Sequence, residues 1–173
     1  MERGRLIMQI EKITKQAFTV VGRQGSTKDG VGFIARLWGE ANEHFGEIAP
    51  FVKKDETGMP IGFWGAMSDF SLSFRPWENV FSEGLYLAGA EVEGTAEAPE
   101  GWTKWQIPGY VYLRVKVESP DVFPKMIEYL AENELELVGA VHDFTDPKDG
   151  QNYMWIPIEK ITYSKFCNKK GTR

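Results

Sequence analysis

The hydrophobic positions of this chain follow two periods, one typical of strands and one typical of helices. Residues 9–22 alternate loosely and end in a β-prone run, which predicts a first strand. Apolar residues then recur at spacings of three and four, which predicts a helix that Asp29 caps and Gly46 ends. The apolar stripe of this helix contains Val31, Ile34, Trp38, Ala41 and Phe45.

Two more strands are predicted in the first half of the chain, at residues 61–67 and 84–93. Between them, residues 71–83 contain polar and turn-forming residues together with Trp77, and they predict a long loop or lid. The first half therefore has the order strand, helix, strand, strand.

The second half repeats this order. Residues 102–118 contain a strand centred on residues 110–115, and Ser119-Pro120-Asp121 is a typical helix start with proline at the first helical position. The stripe of this second helix contains Phe123, Met126, Ile127 and Leu130. Neither repeat, residues 8–95 or residues 102–163, has enough apolar surface to fold alone. We therefore expect the two to pair around a shared core.

Residues 135–160 predict a closing hairpin, because two β-prone runs flank a turn rich in Asp, Pro and Gly. In its second strand, Tyr153 and Trp155 share one face, and the intervening Met154 lies on the other. In its first strand, the neighbours His142 and Asp143 point to opposite faces, so only one of them can face a given cavity. A polar side chain in such an apolar strand needs a partner.

Four short segments carry a family resemblance: Ala-Phe-Thr-Val-Val-Gly at residues 17–22, Tyr-Leu-Ala-Gly-Ala-Glu-Val at residues 86–92, Ala-Pro-Glu-Gly-Trp with Ile-Pro-Gly at residues 98–109, and the closing hairpin. Through them the chain resembles the GyrI-like small-molecule-binding family, which includes the effector-binding domains of some bacterial transcription regulators. The resemblance implies a single α+β domain spanning residues 1–173, made of two tandem strand-helix-strand-strand repeats. It also implies a pseudo-twofold antiparallel sheet, two helices and a central ligand pocket.

Members of that family carry a glutamate in each strand of the closing hairpin, and His142 and Tyr153 stand at the matching positions here. The predicted ligand-binding residues are Trp38, Trp64, Glu91, His142, Tyr153 and Trp155. For the aromatic residues the alternative is a large aromatic core, and for Glu91 it is an outward-facing strand position. Because a histidine can gain a proton near neutrality, we expect neutral or weakly basic aromatic ligands to bind at least as well as permanent cations.

Composition and charge exclude several other functions. The 173 residues are 42% hydrophobic and 13% aromatic, and the net charge of −5 argues against direct contact with nucleic acid. Cys167 is the only cysteine and there are two histidines, so neither a disulfide nor a metal site is expected. No phosphate-binding motif is present, so no cofactor is expected. The apolar run at residues 6–10 is too short for a signal peptide or a membrane span, which predicts a cytoplasmic protein.

Three functional classes remain at this point. The leading hypothesis is a stand-alone binding protein for aromatic, lipophilic or weakly basic small molecules. The alternatives that the resemblance implies are a hydrolase of electrophilic cyclopropane-containing toxins and a protein-interaction module such as a gyrase inhibitor. A bound compound that stays intact would favour the first class over the second.

Overall fold

A computed structural model describes residues 8–162 of the chain; Cys167 and part of the 6–10 run lie outside this range. The strands are β1 (Ile10–Lys15), β2 (Phe18–Ser26), β3 (Phe63–Ser68), β4 (Leu85–Val92), β5 (Thr103–Ile107), β6 (Tyr110–Lys116), β7 (His142–Thr145) and β8 (Asn152–Lys160). The helical segments are α1 (Phe33–Glu43), the four-residue turn α2 (Glu78–Phe81) and α3 (Val122–Glu132). No helix within these residues is long and apolar enough to span a membrane.

All eight strands form one antiparallel sheet in the order β1-β6-β8-β7-β3-β4-β2-β5. The sheet is symmetric about the β3–β7 pair, and each half donates its first strand to the other half: β1 pairs with β6, and β5 pairs with β2. The predicted α+β fold with two paired repeats is thus confirmed.

The first predicted strand of each repeat is in fact two strands. The breaks fall at residues 16–17 and 108–109, and the two breaks touch, because a Cβ on Gly109 would lie 3.0 Å from the Ala17 nitrogen. In the second repeat, Pro108 cannot donate to the strand ladder and so interrupts it. At each break the chain crosses from one half of the sheet to the other.

Helix α1 is rotated relative to the sequence prediction. Its buried residues are Phe33, Leu37 and Ala41, whereas Val31 is fully exposed and precedes the helix. The helix begins after Gly32, whose φ of 81° is left-handed, and Asp29 instead lies in the short turn before it, where its carboxylate accepts from the Ser26 N–H at 2.7 Å. The predicted cap and the Val31 position are therefore wrong, because two glycines interrupt a spacing that looks continuous in the sequence.

Helix α3 matches its prediction more closely. Met126 and Leu130 are buried, and Phe123 and Ile127 are half-buried beside them. The helix begins at Val122 after Asp121, so the prediction that Pro120 occupies the first helical position is wrong. The closing hairpin is also present, but its first strand begins only at His142. The residues before it, 135–141, pack in part against α3 instead of pairing in the sheet.

Both helices pack on the same face of the sheet, α1 over β2 and β4 and α3 over β6 and β8. The opposite face forms what we call the interior aromatic cluster: Phe18, Val20, Trp64, Ala66, Leu87, Trp105, Ile107, Tyr110, Tyr112, Phe144 and Trp155. Residues of both repeats contribute to it, as expected for a shared core. The central strands β3 and β7 lie between the two helices and form the floor of a groove.

Candidate functional site

The groove between α1 and α3 holds two cavities. The larger has a volume of about 310 Å³ and is bordered by Ile34, Trp38, Gly65, Tyr86, Val117, Asp143, Phe144, Thr145, Asn152 and Tyr153. The smaller has a volume of about 160 Å³ and is bordered by Met67, Pro76, Trp77, Phe81, Phe123, Val141 and Met154. We call them the polar cavity and the apolar cavity. A concave, mostly apolar site between helices with a few convergent polar groups is the usual form of a small-molecule pocket.

A hydrogen-bonded chain of three side chains crosses the polar cavity. The Trp38 Nε1–H donates to Tyr86 Oη at 3.1 Å, and the Tyr86 hydroxyl donates to Asp143 Oδ2 at 3.2 Å. Gly65 makes this arrangement possible, because a Cβ at that position would lie 1.9 Å from Tyr86 Oη. The tyrosine therefore lies flat across β3 and orients the carboxylate toward the groove.

Asp143 is an acid without a cationic partner. Among the described residues, none of the ion pairs includes it, and Arg114, which lies over the Tyr153 ring, pairs with Asp146 at 2.8 Å. Burial raises the pKa of Asp143 from 3.8 to about 6, and the Tyr86 hydrogen bond opposes only part of this rise. Burial, together with the adjacent Asp143 carboxyl, also raises the pKa of Tyr86, which therefore stays a donor. At neutral pH the cavity thus presents an ionised, uncompensated carboxylate.

The apolar cavity is covered by the loop between β3 and β4. In this loop, Trp77 donates its indole N–H to Leu85 O at 2.9 Å, so its polar atom is satisfied outside the cavity. Phe81 contacts Phe123 of α3 edge to face, with ring centroids 5.2 Å apart. The loop predicted between β3 and β4 is therefore present beside the groove, and through Phe81 it contacts helix α3.

The structure does not bring the six predicted site residues to one cavity. Trp38 and Tyr153 border the polar cavity, and Tyr153 also packs against the interior aromatic cluster. Trp64 and Trp155 belong to the interior aromatic cluster, with ring centroids 4.9 Å apart, on the face opposite the helices. Glu91 and His142 are buried on that same face. None of these last four borders either cavity, so a ligand-binding role for them stays a prediction.

Glu91 already has a cationic partner. Its Oε1 lies 3.0 Å from Lys15 Nζ and accepts a hydrogen bond from Trp64 Nε1 at 3.2 Å. The same ammonium lies 4.6 Å from the centroid of the Phe18 ring. The Lys15 ammonium thus occupies the place beside a carboxylate and an aromatic ring that a cationic ligand would take. These contacts also connect edge strand β1 to β4.

His142 does not face the groove between the helices; its ring lies beside Trp64 on the interior face, with ring centroids 6.3 Å apart. Its Nδ1 accepts a hydrogen bond from the Met67 backbone N–H at 3.0 Å, which continues the β3–β7 pairing beyond the last ladder position. Burial lowers the pKa of His142 from 6.5 to about 3, so it is neutral at pH 7. Its neighbour Asp143 takes the cavity-facing position instead.

The interior aromatic cluster retains two unsatisfied polar atoms. Within the described part of the chain, Tyr112 Oη and Trp155 Nε1 are buried without a hydrogen-bond partner. Burial raises the pKa of Tyr112, so both groups are donors at neutral pH. They are the feature of this face that favours a polar occupant, such as a water molecule.

Sequence reasoning named Asp143 but did not choose it, and it missed Tyr86 and Gly65. The alternation of the hairpin strand contained the necessary signal, because it required His142 and Asp143 to face opposite sides. No group of three or more His, Cys, Asp or Glu side chains among residues 8–162 is arranged to hold a metal ion.

No protein-family model matches the sequence, and no curated protein matches it. Solved structures do match. The EcmrR C-terminal domain has a TM-score of 0.61 at 11% identity, covering 90% of this chain and 100% of that chain. SAV2435 bound to tetraphenylphosphonium has a TM-score of 0.55 at 15% identity, covering 88% and 94%. An integron cassette protein from the Vibrio cholerae mobile metagenome has a TM-score of 0.51 at 14% identity, covering 88% and 97%.

These likenesses concern the fold, because the sequences are only 11–15% identical. They cover nearly the whole of the described region and both of its repeats. The chain therefore has the GyrI-like fold that its sequence motifs indicated.

Proposed function

We propose that this protein binds a lipophilic, cationic small molecule in the groove between α1 and α3. The observation that carries the proposal is Asp143, a carboxylate that borders the polar cavity and has no cationic partner among the described residues. Trp38 supplies an aromatic side chain beside it, and aromatic rings favour cations as well as apolar groups. SAV2435, which shares the fold, has been solved with the lipophilic cation tetraphenylphosphonium.

This proposal revises the charge preference expected from the sequence. That expectation assumed that His142 faces the ligand, where its proton would oppose a cation. With Asp143 in the cavity-facing position, a cation gains a favourable interaction and restores charge balance to a desolvated carboxylate. We therefore expect permanent cations to bind more tightly than neutral molecules of the same shape.

Titration of tryptophan fluorescence with tetraphenylphosphonium and with neutral triphenylphosphine oxide tests the preference. At pH 7.5 the cation should bind about tenfold more tightly, a difference of about 1.4 kcal/mol. Lowering the pH from 7 to 5 protonates Asp143 and should weaken cation binding by up to about tenfold, with no change for the neutral compound. Equal affinity for the two compounds, or a preference that survives Asp143→Asn, would contradict the proposal.

The same titration separates the groove from the interior aromatic cluster. Trp38→Phe removes the hydrogen bond to Tyr86 and reduces the aromatic surface that borders the polar cavity, so we expect weaker binding in the groove. Trp155→Phe is the matched change on the opposite face and should leave affinity unaltered. If Trp155→Phe weakens binding and Trp38→Phe does not, the ligand enters the interior face, as the sequence-based set of residues proposed.

The broader sequence-based expectations remain predictions. They are that the chain acts as a stand-alone, cytoplasmic binding protein and makes no direct contact with nucleic acid. The net charge of −5 supports the last of these. A mobility-shift assay with duplex DNA at physiological salt checks it, and sub-micromolar binding would contradict it.

A further inference from the structure

The two cavities lie next to each other along the same pair of strands. On β3, Gly65 borders the polar cavity and Met67 borders the apolar cavity. Gly65 pairs with Asp143 of β7, which also borders the polar cavity, and Val141, just before β7, borders the apolar cavity. On both β3 and the segment that leads into β7, the two cavities are therefore two residues apart, which corresponds to about 7 Å along an extended chain.

The two cavities differ in chemistry. The polar cavity contains the Trp38–Tyr86–Asp143 chain of hydrogen bonds. The apolar cavity is bordered by methionine, proline, valine and aromatic residues, and it contains no charged side chain. A molecule that lies along the groove thus meets a carboxylate at one end and only apolar surface at the other.

The turn that covers the apolar cavity is closed by hydrogen bonds within its own backbone. The ends of the α2 turn are tied by two backbone hydrogen bonds, from Glu78 N to Glu83 O at 2.7 Å and from Glu83 N to Glu78 O at 3.1 Å. They hold Phe81 against Phe123, while Phe81 itself remains 39% exposed. The apolar cavity is therefore covered by the side chain of Phe81, which belongs to the loop and not to a strand of the sheet.

We propose that the ligands of this protein are amphiphilic cations whose charged head lies at Asp143 and whose alkyl or aryl tail enters the cavity beneath Phe81. This inference rests on the proposed function and specifies its ligand class. It distinguishes elongated molecules, which span both cavities, from compact cations of equal charge, which fill only the first.

A homologous series of alkyltrimethylammonium ions, from tetramethyl to decyl, tests the tail. The ions are titrated below their micelle-forming concentrations and binding is measured by calorimetry. Affinity should stay flat while the chain is too short to reach the apolar cavity, then rise by about fourfold for each further methylene that is buried. The rise should stop when the cavity is full.

Two variants locate the effect. Phe81→Ala removes the side chain that covers the apolar cavity. It should therefore reduce the ratio of the affinity for decyltrimethylammonium to that for tetramethylammonium several-fold. Val80→Ala alters the neighbouring side chain, which is 89% exposed and borders neither cavity, and it should leave that ratio unchanged. Circular dichroism and thermal unfolding check that both variants are folded.

The outcomes separate this inference from the proposal on which it rests. If tetramethylammonium binds in an Asp143-dependent way but longer chains add nothing, the tail site is overturned and the cation site stands. A gain with chain length that Phe81→Ala leaves intact also overturns the tail site. If no member of the series binds, the proposed function fails, and this inference fails with it.

Discussion

At the scale of single residues, the Asp143 carboxylate that would favour a bound cation also destabilises the folded protein when no cation is bound. The pKa of Asp143 is about 6 in the folded protein and 3.8 as its ordinary value, so the folded state binds protons more readily between these pH values. Stability is then full at about pH 4 and decreases as the pH rises through 6. The ionised Asp143 carboxylate is buried without a compensating charge, and a bound cation would offset this cost.

Asp143→Asn removes this penalty and keeps an acceptor for Tyr86. We expect the variant to gain on the order of 1–3 kcal/mol in free energy of unfolding at pH 7.5 and little or nothing at pH 4. Thermal denaturation at both pH values measures the difference. Asp146→Asn is the control, because that acid pairs with Arg114 at 2.8 Å and its loss should destabilise the fold at pH 7.5. A destabilising Asp143→Asn at pH 7.5 would contradict the burial argument.

The same pair of residues shows how far the site could be predicted. Strand alternation establishes that His142 and Asp143 face opposite sides, but which side each faces depends on pairing with β3, and a shift of one residue exchanges them. That pairing is a contact between distant parts of the chain. The hydrogen bond from Met67 N–H to His142 depends on it too, as does the close approach of Tyr86 over Gly65.

At the scale of elements, the β3–β4 loop concentrates unfavourable backbone conformations. Five of its non-glycine residues have positive φ: Leu72, Phe74, Asn79, Val80 and Phe81. The base of the loop is nevertheless well anchored, because Asp69 Oδ1 accepts from Ser73 N at 2.9 Å and Phe74 O accepts from Ala140 N at 2.8 Å. The strain is therefore carried by a loop with fixed ends.

Val80 offers the clearest test of that strain. A β-branched residue at φ 56° is disfavoured by about 1–2 kcal/mol, and glycine removes the clash at some cost in unfolded-state entropy. Val80→Gly should therefore raise the free energy of unfolding by about 0.5–1 kcal/mol in a denaturant titration. Val31→Gly changes an equally exposed valine without positive φ and should not stabilise. Equal effects of the two substitutions would remove the strain argument.

The elements also show which sequence signals are reliable. Helix α3 follows its apolar spacing, because no glycine interrupts the pattern, although it begins two residues after Pro120. Helix α1 does not, since Gly30 and Gly32 with left-handed φ values let Val31 continue the spacing outside the helix. Spacing reports which residues share a face only where the backbone is helical throughout.

At the scale of the whole molecule, the two repeats are bound together by the exchange of β1 and β5. Strand β1 pairs with β6 of the second repeat, and β5 pairs with β2 of the first. The Lys15–Glu91 ion pair adds a contact from β1 back to β4. The repeat order was predictable from the sequence, whereas this exchange was not, because two short strands separated by two residues look like one long strand.

Cutting the exposed connection between Gly94 and Thr95 should therefore not release two independent domains. The products would form a heterodimer, because β1 of the first fragment pairs with β6 of the second and β5 of the second pairs with β2 of the first. The melting temperature of this heterodimer should rise with protein concentration. A protease site inserted there, followed by sedimentation and thermal melting over a dilution series, measures this. Each half then corresponds to one subunit of a dimer, and the groove between α1 and α3 corresponds to the subunit interface, which the connection between β4 and β5 makes permanent.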